Sequence, residues 1–273
     1  MHPVLFSLGQ GFVVHTYGVL VTVGYLVGAW IGTRDFRKSG QPPATFVGFA
    51  LWALLGSFAG ARLLYVIVTG GRIWEGGAVF LGGVLGALVA LVVFVLVKRA
   101  RPGPLVDAAA LGLPFGHAFG RLGCFAAGCC FGKEWHGPFA VSFGPGSLAS
   151  DPAATGTGTP PLFPTQPFEA LLELGLGLAL VFLRKRKRYH GQIALTWVVG
   201  YALVRTAVEV FRGDSSRGLV IPIELPSVAA WLGLERHDPL FLSTSQAISI
   251  VLALAAISLL ATMALARRET RRA

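Results

Sequence analysis

The chain has 273 residues, of which 54% are hydrophobic and only 13% are charged, whereas soluble domains usually carry about 25% charged residues. So little charge excludes an ordinary soluble domain and makes lipid the expected solvent. The formal net charge of +10 does not indicate a nucleic-acid partner, because most Lys and Arg residues lie in short runs between apolar segments, where they orient helices and meet anionic lipid headgroups.

The apolar runs predict seven transmembrane helices, because a spanning helix needs about 20 mostly apolar residues. In chain order the runs cover roughly residues 12–31, 45–68, 78–97, 105–127, 167–183, 191–211 and 244–266. The fourth run is the weakest, since it contains Pro114, His117 and Arg121. We therefore predict an all-α integral membrane protein in which residues 1–273 form a single membrane-embedded domain.

The basic residues between the predicted helices indicate how the helices are oriented. Fifteen of the 23 Lys and Arg residues lie in residues 32–44, 98–104 and 184–190 and in the C-terminal tail. The alternate connections hold five, and the predicted helices hold three. Because cytoplasmic loops are enriched in Lys and Arg, we predict an N-terminus outside and a C-terminus in the cytoplasm. Two long loops, about 128–166 and 212–243, then lie on the outer face.

Ionisable residues inside the predicted helices indicate a polar cavity. Arg62, Arg121, Arg205 and Glu209 lie within apolar runs, and a charge at such a depth costs about 3 kcal/mol unless it is paired or faces water. A buried ion pair that locks helices together is the alternative, because Arg205 and Glu209 are four residues apart and share a helix face.

Two polar stripes with helical spacing each contain such an arginine. They consist of Tyr201, Arg205, Glu209 and Arg212 in the sixth run and of His117, Arg121 and Cys124 in the fourth. Glycines flank the arginine of the fourth run, which lets a bulky anion approach. The guanidinium fork matches phosphate oxygens bidentately, and the abundant phosphate of a bilayer is a phospholipid headgroup. The stripes therefore predict a site for a lipid phosphate.

Several short motifs follow one another in order over nearly the whole chain. They are His15-Thr16-Tyr17-Gly18, Gly60-Ala61-Arg62, Gly120-Arg121-Leu122-Gly123 with Phe125 and Gly128, Pro164-Thr165-Gln166 with Glu169, Tyr201-x3-Arg205-x3-Glu209-x2-Arg212 followed by Asp214, and Ser245-Gln246. Together they resemble the prolipoprotein diacylglyceryl transferase family, and their joint occurrence is far more specific than any one of them.

The resemblance implies a multi-pass enzyme of the bacterial inner membrane. Such an enzyme moves the diacylglyceryl group of phosphatidylglycerol onto the lipobox cysteine thiol of a prolipoprotein, forms a thioether and releases glycerol phosphate. Its partners would be these two substrates and membrane lipid, and neither a cofactor nor a metal is expected.

The resemblance also assigns residues to the site. Arg121 would bind the lipid phosphate, Arg205 would stabilise the leaving group, Glu209 would orient Arg205 or take the thiol proton, and Tyr17 would line the site. The further substrate-binding residues implied are Arg62, Gly82, Gly83, Gly123, Gln166, Glu169, Tyr201, Arg212 and His15.

The chain departs from the family pattern at three places. Leu81-Gly82-Gly83 stands where the family has His-Gly-Gly, Cys124 replaces an Asn, and Gly128-Cys129-Cys130-Phe131-Gly132 replaces an Asn-x-Glu segment. A histidine is the obvious base for a thiol, so His15, His117 or Glu209 would have to supply it. The alternatives are a paralogue of the same fold with a different acceptor and a non-catalytic phospholipid-binding protein.

All three cysteines of the chain, Cys124, Cys129 and Cys130, cluster at the predicted outer end of the fourth run. Four interpretations remain open: packing of small side chains, a disulfide from Cys124 to one of the other two, a reactive thiol, and a metal site. The spacing of the three residues matches no common zinc pattern.

Overall fold

A computed structural model describes residues 3–8, 12–74, 76–145, 147–149, 158–213, 219–234 and 241–269, so the predicted motif residue Asp214 lies outside the described residues. The helices are α1 (Thr16–Lys38), α2 (Pro43–Thr69), α3 (Phe80–Lys98), α4 (Pro102–Ala127), α5 (Thr165–Arg184), α6 (Gln192–Phe211), α7 (Pro226–Trp231) and α8 (Thr244–Glu269). Strands β1 (Val4–Leu8) and β2 (Phe12–His15) form one antiparallel pair, and β3 (Leu219–Ile223) and β4 (Phe241–Ser243) form another.

Six of the described helices are long and apolar enough to cross a membrane, namely α1, α2, α3, α5, α6 and α8. The predicted class, an all-α integral membrane protein, is therefore confirmed. The fourth predicted run coincides with α4, which is not one of the six. The count of seven spans and the orientation of the termini stay predictions.

Residues 29–110 form one compact unit, in which α2 and α3 pack against each other. Gly56 and Gly60 of α2 face Gly82 and Gly86 of α3 so closely that a Cβ atom built on Gly86 would overlap the backbone of Gly56. Small residues let helices approach in lipid, where no hydrophobic effect drives them together. Gly82 and Gly83, two predicted substrate-binding residues, lie in the first turn of this packed helix.

The apolar core of this unit is built mainly from aromatic side chains. Phe46 lies 5.8 Å from Phe36 and 5.8 Å from Phe49, and Phe49 lies 5.8 Å from Phe94, measured between ring centroids. All four are buried, and the edge-to-face geometry of Phe49 on its two neighbours is the arrangement that aromatic quadrupoles favour.

Residues 1–28 and 111–273 form the other compact unit, in which α6 packs on both α5 and α8. Gly28 of α1 meets Gly112 of α4 backbone to backbone. After α4 the chain returns along the end of the helices, where Gly132 pairs with Arg212 and Glu134 with Leu162 in isolated bridges. This return fixes the loop after α4 against the ends of α5 and α6.

Large apolar side chains are exposed along the predicted spans. Leu55 and Phe58 of α2 are 67% and 70% exposed, and Leu203 of α6 and Val251 of α8 are 68% and 65% exposed. Exposed apolar surface of this extent indicates contact with another apolar phase, and for helices of spanning length that phase is the bilayer core.

We predict that Gly86→Ala destabilises the protein, because its Cβ atom meets the backbone of α2 rather than a movable side chain. Overpacking of this kind costs about 1–3 kcal/mol, so the thermal midpoint in detergent should fall. Gly175→Ala is the matched control, since a Cβ built on this exposed glycine of α5 meets nothing within 4 Å. Equal midpoints for the two variants would contradict the close packing of α2 and α3.

Candidate functional site

One buried carboxylate joins the two arginines that the polar stripes singled out. Glu169, in the first turns of α5, is 1% exposed. Its Oε1 atom lies 2.9 Å from Nη2 of Arg121 on α4 and 3.9 Å from Nη1 of Arg205 on α6. A carboxylate away from water needs such partners, so Glu169 brings the two guanidinium groups to one place.

Arg205 has two further partners. Its Nη2 atom lies 2.6 Å from Oε2 of Glu209, one turn later on α6, and donates to Oγ of Ser245 at 3.2 Å. Oγ of Ser243 lies 3.1 Å from Oγ of Ser245, which ties the start of α8 to the network. The i,i+4 ion pair anticipated as the alternative therefore exists, but it belongs to a larger network.

Gln246 fixes the start of α8. Its Oε1 atom accepts from the backbone N–H of Ser243 at 2.9 Å, and its Nε2 atom donates to the carbonyl of Thr206 at 3.3 Å. The side chain is fully buried, so it positions the two serines beside Arg205 without facing the site.

His117 forms the opposite edge of the network. Its Nε2 atom lies 3.2 Å from Nε of Arg121, and its Nδ1 atom lies 3.2 Å from Oε1 of Glu173 on α5. Because Nε of an arginine can only donate, Nε2 of His117 is the acceptor in this contact, and Nδ1 is the ring nitrogen that faces the carboxylate of Glu173. The histidine thus links Arg121 on α4 to Glu173 on α5.

Tyr201 contacts the network through its aromatic ring. Its ring stacks on Trp197 at 5.6 Å and lies 5.7 Å from the ring of His117. The carboxylates of Glu169, Glu173 and Glu209 are at most 3% exposed, whereas the arginine side chains are 13% and 12% exposed. The glutamates therefore lie behind the guanidinium groups, and a ligand would meet the guanidinium edges first.

The loop after α4 is fastened to the same helices. Nε2 of Gln166 donates to the carbonyl of Cys129 at 2.8 Å, and Oγ1 of Thr165 donates to the carbonyl of Cys130 at 2.8 Å. Both α5 side chains are 1% exposed. Gln166, which was predicted to bind substrate, uses its amide nitrogen for the hydrogen bond to this loop.

The three cysteines are free thiols and half-buried. Hydrogen bonds from the thiols of Cys124 and Cys129 lower the pKa of Cys130, and the charges of Arg212 and Arg121 act in the same direction against burial, which raises it. Arg212 itself is 8% exposed and pairs through its backbone with Gly132.

Tyr17 and Gly123 contact each other. A Cβ atom built on Gly123 would lie 3.1 Å from Cδ2 of Tyr17, so the glycine makes room for the ring. The side chain of Tyr17 has Arg121 and the three cysteines as its electrostatic neighbours. His15 ends β2, pairs with Val4 across the hairpin and is exposed.

Arg62 belongs to the unit of residues 29–110. Its Nε atom donates to the carbonyl of Ile73 at 2.5 Å and its Nη1 atom to the carbonyl of Gly77 at 2.6 Å. The guanidinium also lies 5.5 Å from the ring of Tyr65. Its role at the phosphate site, like those of Gly82 and Gly83, stays a prediction.

Sequence reasoning missed Glu173 altogether, whereas it placed His117 in the polar stripe of the fourth run and among the candidate bases. Glu173 lies within an apolar run, four residues after Glu169, on the same face of α5. An intramembrane carboxylate is expensive and therefore a functional signal, so the pair was detectable by the argument that selected Arg205 and Glu209.

Comparison with known proteins gives one consistent result. A model of the family described as prolipoprotein diacylglyceryl transferase matches residues 3–262. Relatives named phosphatidylglycerol–prolipoprotein diacylglyceryl transferase include those of Bacillus licheniformis, 30% identical over all of this chain and 96% of that protein, and of Brucella canis, 29% identical over 84% and 89%. That of Clostridium tetani is 27% identical over 78% of this chain and 86% of its own length.

We predict that Glu169→Gln lowers the thermal midpoint of the detergent-purified protein, because Arg121 and Arg205 lose the carboxylate that they share. Removing one partner of a buried ion pair typically costs about 3–5 kcal/mol. Glu134→Gln is the control, since Glu134 pairs with His136 at 3.1 Å on the exposed surface, where a pair contributes at most about 1 kcal/mol. A midpoint for Glu169→Gln as high as that of Glu134→Gln would show that Glu169 does not hold the network together.

Proposed function

The chain belongs to the prolipoprotein diacylglyceryl transferase family, and we propose that it transfers the diacylglyceryl group of phosphatidylglycerol to the lipobox cysteine thiol of a prolipoprotein. A sulfur–carbon bond forms, the carbon–oxygen bond to the phosphate breaks, and glycerol phosphate leaves. The observation that supports this most directly is the convergence of Arg121 and Arg205 on Glu169 within the apolar part of the chain.

Negative charge grows on the phosphate as the carbon–oxygen bond breaks, and fixed donors aimed at that charge lower the barrier. We assign the headgroup phosphate to Arg121 and the leaving oxygen to Arg205. A guanidinium has five N–H donors, and among the described residues the contacts of Arg121 engage its Nε and Nη2 atoms alone. The fork of Arg121 therefore retains N–H groups for a phosphate while Glu169 and His117 hold it in position.

The remaining assigned residues support these two arginines. Glu209 orients Arg205, the ring of Tyr201 lies against that of His117, and Tyr17 packs on Gly123 next to Arg121. Further residues are assigned to substrate binding from the family resemblance. They are Gln166 and Arg212 at the anchored loop, His15 at the end of β2, and Arg62 with Gly82 and Gly83.

The three residues considered as bases are already engaged or exposed. Nε2 of His117 accepts from Arg121, and Glu209 lies 2.6 Å from Arg205. His15 lies exposed at the end of a hairpin strand. Proton removal by His117 or Glu209 would therefore require that residue to leave its observed contact, and Leu81 stands at the family's histidine.

We propose seven spans in the bacterial inner membrane, with α4 as the fourth span, the N-terminus outside and the C-terminus in the cytoplasm. The alternation of basic residues supports this orientation. It places the loop after α4 and the end of α6, with Arg212, on the outer face. Phosphatidylglycerol would then enter sideways from the outer leaflet, and the prolipoprotein would meet it at the same surface.

We predict that Arg121→Lys and Arg205→Lys each lower transfer of labelled diacylglycerol from phosphatidylglycerol to a lipobox peptide by about 100-fold or more. Lysine keeps the charge but loses the bidentate fork, and a single lost transition-state donor typically costs about 100- to 1,000-fold. Arg101→Lys, in the exposed link between α3 and α4, should transfer as the wild type does.

If Arg121→Lys or Arg205→Lys transfers diacylglycerol as fast as the wild type, the role proposed for that arginine is wrong. If wild-type protein binds phosphatidylglycerol vesicles through Arg121 but modifies no lipobox peptide, the proposed acceptor is wrong. Mass spectrometry of a membrane extract would then show whether the diacylglyceryl group reaches another acceptor, and its absence everywhere would favour a phospholipid-binding protein.

We predict that green fluorescent protein fused to the C-terminus is fluorescent and that alkaline phosphatase at the same position is inactive, because a cytoplasmic C-terminus follows from seven spans. Fusions after residue 145, in the loop after α4, should give the opposite pair of results. An active phosphatase at the C-terminus would overturn the proposed orientation.

A further inference from the structure

Three thiols converge at the turn that follows α4. Cys124 lies in the last turn of the helix, and Cys129 and Cys130 follow its end at Ala127. The Sγ atoms of all three lie within 4.8 Å of one another. They are the only cysteines of the chain.

The backbone is built to bring these thiols together. Residues five and six positions apart point away from each other on a continuous helix, but here Gly128 and Cys130 have φ values of 73° and 59°. The N–H of Cys129 donates to the carbonyl of Cys124 at 3.1 Å, so the chain turns back over the helix end. A left-handed cysteine costs about 1–3 kcal/mol, which the surrounding contacts must offset.

Those contacts come from α5. Thr165 and Gln166 donate to the carbonyls of Cys130 and Cys129, each at 2.8 Å, from almost completely buried positions. The N–H of Gly132 then donates to the carbonyl of Phe163 at 3.2 Å. Because both cysteine carbonyls are held, the thiols are arranged before any ligand arrives.

A zinc ion fits this arrangement. Zn–S bonds of about 2.3 Å in tetrahedral geometry place the sulfurs about 3.8 Å apart, so each thiol needs to move by less than about 1 Å. Thiolates are soft ligands that select zinc and similar ions. Arg121 and Arg212 are the positively charged neighbours of Cys130, and they offset the excess negative charge of three thiolates around one divalent ion.

Three protein ligands leave one of four zinc positions open, as in catalytic zinc sites. A thiol that coordinates a metal is deprotonated outright. Cys124 lies three residues after Arg121, on the same face of α4, so a thiol on the open position would be next to the proposed phosphate site. This arrangement needs no side-chain base at the position of Leu81.

We propose that Cys124, Cys129 and Cys130 form a trithiolate zinc site whose open position takes the acceptor thiol of the transfer reaction. This inference rests on the proposed function. The acceptor thiol gives its proton to solvent on coordination, its sulfur attacks the glyceryl carbon, and the carbon–oxygen bond breaks with its electron pair on glycerol phosphate. The thioether formed is a weak ligand, so the product leaves and zinc stays.

The test uses the full-length chain in detergent with a non-thiol reductant, after removal of bound metal by a chelator. Zinc should bind at one ion per chain, and Co²⁺ as a probe should show the thiolate-to-metal charge-transfer absorption. Cys124→Ser, Cys129→Ser and Cys130→Ser should each weaken binding by at least about 10-fold. His136→Asn, at an exposed histidine, should bind as the wild type does.

Folding of the serine variants is checked by adding zinc during thermal unfolding. Because a ligand stabilises only the state that binds it, zinc should raise the wild-type midpoint and should raise the midpoints of the serine variants less. Failure of the reduced wild type to bind zinc or Co²⁺, or binding by all three serine variants as tight as that of the wild type, would overturn the site.

The role of the open position is tested with the acceptor. A lipobox peptide should change the Co²⁺ spectrum, whereas the same peptide with serine for its cysteine should not. Removal of zinc should abolish transfer and its return should restore it, while binding of phosphatidylglycerol vesicles stays the same. Undiminished transfer without metal would overturn the thiol-binding role.

A failure of the proposed function looks different. In that case neither the zinc-loaded nor the metal-free protein transfers diacylglycerol, yet the cobalt spectrum still requires all three cysteines. The metal site would then stand, and the assignment of phosphatidylglycerol and the lipobox peptide as substrates would fall.

Discussion

The structure of the candidate site depends on the cost of placing ionised groups in an apolar surrounding. Glu169 and Glu173 on α5 and Glu209 on α6 are almost completely buried, and each needs a donor within reach. Arg121, His117 and Arg205 lie within 3.2 Å of their oxygens, from α4 and α6. These ion pairs thus decide where α4, α5 and α6 meet.

Glutamate pairing also determines what the arginines can do. A carboxylate orients the guanidinium with which it pairs. The guanidinium still has N–H groups for a ligand, because its donors outnumber the oxygens that it contacts. Arg121 shows this arrangement, with His117 and Glu169 on one side and a partly exposed edge on the other. Pre-orientation matters for a reaction that develops phosphate charge, since donors fixed in advance need no rearrangement in the transition state.

The sequence predicted the seven long helices of the described part of the chain and the pair of Arg205 with Glu209, but not the contacts that join different helices at the site. A run of about 20 apolar residues indicates a spanning helix whatever the helix packs against. The seven long helices could therefore be predicted, including α4 despite Pro114. Arg205 and Glu209 share one helix, and helical spacing reveals such pairs. The contact of Glu169 with Arg121 joins α4 to α5. A contact between two helices leaves no periodic pattern in the sequence of either helix. The short strands β1 to β4 lie in loop segments whose composition carries little period-two signal.

The cysteine turn shows what sequence spacing leaves undetermined. Positions 124, 129 and 130 match no common zinc pattern, and the left-handed backbone at Gly128 and Cys130 turns the chain so that the three thiols meet. That backbone is in turn held by Thr165 and Gln166, about 35 residues later in the chain. Cys124 and the Cys129–Cys130 pair stand where the family has Asn and Asn-x-Glu, in the same chain that has Leu81 for histidine. A metal-bound thiolate needs no general base, so the proposed zinc site would account for both departures together.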